Sequence, residues 1–136
     1  MKVQRVDTWA ASIEDKPGAL AAKLKALAAG GVNLEFVVAR RADPGKGVVF
    51  VTPVTGGPQI AAAGAAGFQK TSSLHTVRVE GPDKPGQGAL VVQTLANEGL
   101  NLRGVSAAAI GNQFICHIAL DTESAVTKAV NALQNI

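Results

Sequence analysis

The tetrapeptide Asp15-Lys16-Pro17-Gly18 recurs as Asp83-Lys84-Pro85-Gly86, and the residues that follow recur with it. Identical leucine, alanine, glycine and asparagine residues follow at a constant offset of 68 residues, among them Asn33 with Asn101, and the match ends with Leu34 and Leu102. An ungapped match of this length indicates one structural unit used twice. A polar loop that is present in both copies is a better candidate for function than either copy alone.

Hydrophobic periodicity predicts the elements of the first copy. Alternation of apolar and polar residues at 8–13 indicates a strand with one buried face, and proline is favoured at the first position of a helix. The predicted elements are a strand at 8–13, a helix of about 13 residues beginning at Pro17, strands at 33–41 and 48–54, a helix at 59–67 and a strand at 68–73. This βαββαβ order is that of the ferredoxin-like fold.

The second copy repeats this order but stops at Ile136 before a fourth strand. The last predicted helix follows Asp121 or Thr122, since either residue is a good N-cap. The sequence therefore predicts an α+β protein of two ferredoxin-like units, residues 1–72 and 73–136, in which the second unit lacks most of its last strand. A missing edge strand leaves backbone groups open, which favours association into a homodimer.

Composition argues against several classes of protein. The 136 residues carry a net charge of +3 with no tyrosine and one tryptophan, and the basic residues are scattered, whereas nucleic-acid surfaces combine clustered basic residues with stacking aromatics. No stretch approaches the roughly 20 apolar residues of a membrane span, and the N-terminus has no signal-peptide core. The single cysteine, Cys116, excludes an internal disulfide and fits the cytoplasm.

The repeated loop is the one concentrated signal for chemistry. Asp15 and Asp83 each stand just before a predicted helix start, where free N–H groups and the helix dipole favour a carboxylate. Glycine at Gly18 and Gly86 would let a ligand approach the backbone, and the aspartates would accept hydrogen bonds from an ammonium group. These features suit a free α-amino acid. The alternative is that aspartate only caps a helix that proline begins and glycine turns.

Asn33 and Asn101 follow the predicted helices at matching positions. Their amides can both donate and accept hydrogen bonds to a ligand. The alternative is a turn residue that tolerates left-handed backbone geometry or caps the end of the preceding helix. Elsewhere, His75 and His117 lack partners at metal-ligand spacing, Cys116 is expected in the core, and no nucleophile, base and oxyanion donor come together. The sequence therefore predicts no enzyme, no metal and no cofactor.

The pattern of strand, Asp-Lys-Pro-Gly, helix, Gly-[Val/Leu]-Asn-Leu and strand resembles the ACT domain, a small-molecule regulatory module, over nearly the whole chain. The resemblance implies two units side by side in one extended antiparallel sheet with helices on one face. It also implies amino-acid sites at the seam between units. One site would join the loop Asp15, Lys16, Pro17, Gly18 to Asn101, and the other would join Asp83, Lys84, Pro85, Gly86 to Asn33.

These observations predict a cytoplasmic, non-catalytic sensor of two ACT domains that binds an amino acid and regulates a partner protein such as an enzyme. A ligand that touches both units would favour the arrangement that closes its site. The first alternative is a ligand-free protein-interaction module of the same fold. The second is a nucleic-acid-binding ferredoxin-like domain, against which the missing sheet aromatics argue.

Overall fold

The computed structural model describes residues 1–136, which form two compact units. The first unit is Asp7–Thr71, and the second unit combines Met1–Val6 with Ser72–Ile136. The strands are β1 Lys2–Val6, β2 Trp9–Glu14, β3 Phe36–Arg41, β4 Lys46–Thr52, β5 Gln69–Lys70, β6 His75–Pro82, β7 Gly104–Ile110 and β8 Gln113–Leu120. The helices are α1 Ala19–Ala29, α2 Gly57–Ala65, α3 Gln87–Asn97 and α4 Glu123–Gln134.

The first unit is a four-stranded antiparallel sheet in the order β3-β4-β2-β5. Its fourth strand, β5, is only two residues long and pairs with Trp9 and Ala10. Helices α1 and α2 contact each other. The buried core of this unit contains Leu27, Val49, Val51 and Phe68, each no more than 1% exposed.

The second unit has the corresponding sheet order, β7-β8-β6-β1, in which the N-terminal strand β1 takes the place that β5 has in the first unit. Strand β1 pairs antiparallel with β6 over five residues, from Lys2 opposite Glu80 to Val6 opposite Thr76. Val3 packs against the core of this unit. The strand that the C-terminal half lacks is therefore supplied by the beginning of the chain.

Helix α4 packs against the core of the second unit. Helix α4 begins after Thr122, whose hydroxyl accepts a hydrogen bond from the amide of Ala125 at 3.0 Å, as expected for an N-cap. The apolar face of α4 buries Val126 and Leu133 completely or nearly so. The N-terminal ammonium group donates to the Ile136 carbonyl at 2.5 Å.

The α+β class and the two ferredoxin-like units are confirmed. The boundaries 1–72 and 73–136 differ from the observed units because the first six residues pair with β6. The strands are hydrogen-bonded into two four-stranded sheets, and their union in one extended sheet stays a prediction. None of the four helices has the length and apolar character needed to cross a bilayer.

Candidate functional site

The repeated tetrapeptide forms the same turn in both units. The amide of Ala19 donates to the Lys16 carbonyl at 3.3 Å, and the amide of Gln87 donates to the Lys84 carbonyl at 3.3 Å. Gly18 has φ 87° and ψ −15°, and Gly86 has φ 87° and ψ 0°. Proline at the second position and a left-handed glycine at the third are typical of a type II turn. The proline and the glycine of the motif are thus explained by local geometry, whereas the lysine contributes only its carbonyl group to the turn.

This turn changes two expectations from the sequence. Helix α1 begins at Ala19 with Gly18 at the N-cap, so Pro17 lies in the turn rather than at the first helical position. A Cβ placed on Gly18 or Gly86 would meet no atom within 4 Å, so the positive φ, and not crowding, requires glycine at both positions.

The aspartates of the motif do not cap the helices. Neither α1 nor α3 has a side-chain hydrogen bond at its N-cap. The Asp15 carboxylate forms an ion pair with Arg41, with 3.0 Å between Oδ2 and Nε, whereas the exposed Asp83 carboxylate has no hydrogen-bond or ion-pair partner. The alternative in which both aspartates serve as helix caps is therefore wrong, and the structure gives the carboxylate of Asp83 no structural role.

Free amide groups lie at the start of each helix. In the first unit, the amides of Gly18, Leu20 and Ala21 have no hydrogen-bond partner in the chain. The amides of Gly86, Gly88 and Ala89 are equally free in the second unit. Such amides carry the positive end of the helix dipole and favour an anion.

The two repeated asparagines are exposed and have no side-chain hydrogen bond. Asn33 lies between α1 and β3, and Asn101 lies between α3 and β7, in each case three residues before the strand begins. No residue other than glycine has a positive φ, and the left-handed residues after the two helices are Gly31 and Gly99. The alternative of a left-handed turn residue is therefore wrong for both asparagines, and their polarity has no structural use.

A shallow cleft of about 220 Å³ adjoins the loop of the first unit. Its lining includes Asp15, Lys16, Arg40 and Arg41. Lys16 also contacts the carboxylate of Glu14 at 2.8 Å. This hydrogen bond and the accompanying charge attraction lower the pKa of Glu14 and raise the pKa of Lys16.

The hairpin loops hold the motif loops in place, and the sequence did not indicate this. The Asp15 amide donates to the Gly45 carbonyl at 3.1 Å, and the Asp83 amide donates to the Asn112 carbonyl at 2.8 Å. Gln87 follows the second motif, is only 3% exposed, and donates from Nε2 to the Pro82 carbonyl at 2.6 Å. Its counterpart in the first unit is Ala19. The two loops therefore have the same backbone conformation, but only the second is held by a buried glutamine side chain.

Each unit thus brings together its own motif loop, helix start and hairpin loop. The association of either loop with the asparagine of the other unit stays a prediction. Cys116 is buried in the core of the second unit, as expected, and burial raises the pKa of its thiol to about 11.

Comparisons with known proteins identify the fold. No protein-family model and no curated protein matches the chain. A solved protein of Bacteroides thetaiotaomicron matches with a TM-score of 0.79 at 19% identity, over 98% of this chain and 89% of that one. The ligand-free regulatory subunit of aspartate kinase from Thermus thermophilus matches with a TM-score of 0.65 at 19% identity, over 99% and 96% of the two chains.

A structure of aspartokinase alpha and beta subunits also matches, with a TM-score of 0.62 at 18% identity, over 100% of this chain and 99% of that one. At such identities the likeness establishes the fold and leaves the ligand open. The resemblance read from the repeated motif is confirmed at this level: the chain has the fold of a tandem ACT-domain protein.

Proposed function

We propose that the chain is a non-catalytic regulatory protein that binds a free α-amino acid at its repeated loops. The observation that carries this proposal is the set of exposed polar groups for which the fold has no use. In the second unit these are the amides at the start of α3, the Asp83 carboxylate and the Asn101 amide.

These groups are complementary to an amino acid. Backbone amides at a helix start favour the ligand carboxylate, and an aspartate carboxylate accepts hydrogen bonds from the ligand ammonium in a charge-assisted contact. The asparagine amide is able to bond to either group. We further propose the pairing implied by the ACT resemblance, in which Asp83 and Gly86 act with Asn33, and Asp15 and Gly18 act with Asn101.

Regulation follows from a ligand that contacts two units, because it stabilises whichever arrangement closes its site. Two of the structural neighbours are subunits of aspartate kinase, one of them named as regulatory, which supports a partner enzyme as the regulated protein. A cytoplasmic location completes the proposal. A homodimer stays a prediction, and β1 fills the edge of the second unit that was expected to be open and to favour it.

Calorimetric titration against each of the twenty amino acids tests this function. We expect at least one amino acid to bind, and Asn101→Ala to weaken binding at one of two sites about tenfold or more, because a hydrogen bond to a charged group contributes about 1.5–3 kcal/mol. Asn131→Ala, at an exposed asparagine of α4, is the matched control and leaves binding unchanged. If binding survives in Asn101→Ala while stability falls, the asparagine is structural.

A ligand-free interaction module is the second candidate. It is favoured by the type II turn, which explains two of the four motif residues, the proline and the glycine, without a ligand. It is also favoured by exposed apolar side chains on β7, where Val105 is 46% and Ile110 is 69% exposed. The absence of binding by any amino acid at millimolar concentration would leave this function.

A further inference from the structure

The two motif loops have the same backbone conformation but differ in the charges around them. Two adjoining clefts of about 220 and 280 Å³ flank the loop of the first unit, and both are lined by Ile13 and Glu14. The acidic residues of their combined lining are Glu14 and Asp15. The basic residues are Lys16, Lys23, Arg40, Arg41 and Lys46. Basic side chains therefore outnumber acidic ones around this loop by five to two.

The second unit has neutral residues at nearly all of the matching positions. The constant offset and the strand register show which residues correspond in the two units: Val91 to Lys23, Ala108 to Arg40, Ala109 to Arg41 and Gln113 to Lys46. Pro82 takes the place of Glu14. The charged residues at the matching positions of the second unit are Asp83, Lys84 and Glu80, which replaces Ser12. Glu80 is paired with Lys2 and Arg78 at 3.5 and 3.2 Å, so this second loop has no excess of positive charge.

The positive charges of the first unit are only partly neutralised. Lys16 and Arg41 are paired with Glu14 and Asp15 at 2.8 and 3.0 Å. Lys46 has no side-chain carboxylate within ion-pair distance, nor has Arg40, whose guanidinium lies 5.9 Å from the centroid of the Phe50 ring.

Lys23 donates to the Ala66 carbonyl rather than to a carboxylate. The aspartate of this loop is already occupied by Arg41, so the loop offers cations to a ligand more readily than it offers an acceptor. A concave surface with an excess of one charge attracts ligands of the opposite charge.

We propose that the cleft of the first unit selects an amino acid with a second carboxylate, and that the loop of the second unit has no such preference. This inference rests on the proposed function and names the ligand class of one of its two sites. The helix-start amides receive the α-carboxylate, and Arg41 with the unpaired cations receives the side-chain carboxylate. The cleft volume lies below the range of about 300–1,000 Å³ typical of drug-sized ligands, which fits a small metabolite.

The test compares isosteric ligand pairs on the full chain. L-Aspartate is titrated against L-asparagine, and L-glutamate against L-glutamine, at low ionic strength and again with added salt. The variants are Arg41→Ala, which removes a cation from the exposed end of β3, and Arg41→Lys, which keeps the charge. Lys128→Ala, at an exposed lysine of α4 in the other unit, is the matched control.

The expected result is preference for the acid over its amide at one site, by on the order of fivefold or more for a few partly exposed cations. The preference shrinks with salt, because the Debye length falls from about 30 Å at 0.01 M to about 8 Å at 0.15 M. It also shrinks in Arg41→Ala and persists in Arg41→Lys and Lys128→Ala. Equal affinity for acid and amide, or a preference unchanged in Arg41→Ala, overturns this inference and leaves the amino-acid sensor standing. Failure of every amino acid to bind overturns both.

Discussion

Replacement of Gly18 by alanine tests the turn that organises the first motif. Its φ of 87° lies in the left-handed region, where a residue with a Cβ is strained by about 1–2 kcal/mol. Alanine also restricts the unfolded chain, which offsets about 0.4–1 kcal/mol of that strain. Because a Cβ at this position meets no atom within 4 Å, no clash is added. We therefore expect Gly18→Ala to lower the free energy of unfolding by about 1 kcal/mol.

Gly64→Ala is the matched control, because Gly64 lies in α2 of the same unit, has no positive φ, and would bring an added Cβ within 4 Å of no other atom. Alanine in a helix is favoured over glycine by about 0.5–1 kcal/mol, so this variant is expected to be more stable than the parent. The two substitutions are chemically identical and are predicted to have opposite signs.

Trp9 is the only tryptophan and lies in β2, so its fluorescence reports unfolding of the first unit. With a urea m-value of about 2 kcal/mol/M, the midpoint is expected to fall by about 0.5 M in Gly18→Ala and to rise in Gly64→Ala. A midpoint in Gly18→Ala equal to or above that of the parent would refute the left-handed turn.

Three further predictions concern the second unit. Deletion of Met1–Val6 removes the partner strand of β6, so hydrogen exchange at residues 76–80 is expected to accelerate while the Trp9 transition persists; unchanged exchange there would contradict the observed pairing. Leu133→Ala removes a fully buried side chain and is expected to cost about 2–5 kcal/mol in denaturant unfolding, whereas the exposed control Lys128→Ala stays within about 0.5 kcal/mol. Cys116, with its pKa raised to about 11 from 9.0, is expected to resist thiol reagents at pH 8 until urea unfolds the chain, and rapid native labelling would show that it is accessible.

The raised pKa of Cys116 also fixes the sign of a pH effect. Between pH 9 and 11 the unfolded thiol ionises while the buried thiol keeps its proton, so the unfolded state binds fewer protons. Stability is therefore expected to fall as the pH rises through this window. Cys116→Ser, which does not ionise there, is expected to lose this component of the pH dependence.

Local patterns in the sequence were sufficient for most of the fold. The repeat and the alternation in the strands predicted seven strands and four helices in the observed order. The fourth strand of the second unit was not predicted at all. Residues Lys2–Val6 alternate as a strand does, but their partners in β6 lie 70 to 78 residues away, and no local pattern indicates which strand they join.

The candidate site was only partly accessible from sequence for the same reason. The loops were located by their repetition, whereas the Arg41 ion pair with Asp15 depends on β2 and β3 both pairing with β4, which no local pattern shows. The sequence Lys-Pro-Gly is compatible with a type II turn, but it was interpreted as the start of a helix. Proline is common both at the second position of such a turn and at the first position of a helix. The hydrogen bond from buried Gln87 to the Pro82 carbonyl was not predicted, because no sequence motif marks a glutamine at this position as buried.

The most direct test of the central claim is a titration of the ¹⁵N-labelled chain with the twenty amino acids, followed by amide chemical shifts. The account predicts that at least one amino acid changes the chemical shifts of the free amides at the two helix starts more than those of any other amide. These amides belong to Gly18, Leu20, Ala21, Gly86, Gly88 and Ala89. It is contradicted if no amino acid at millimolar concentration moves these signals, or if the shifts cluster elsewhere in the chain.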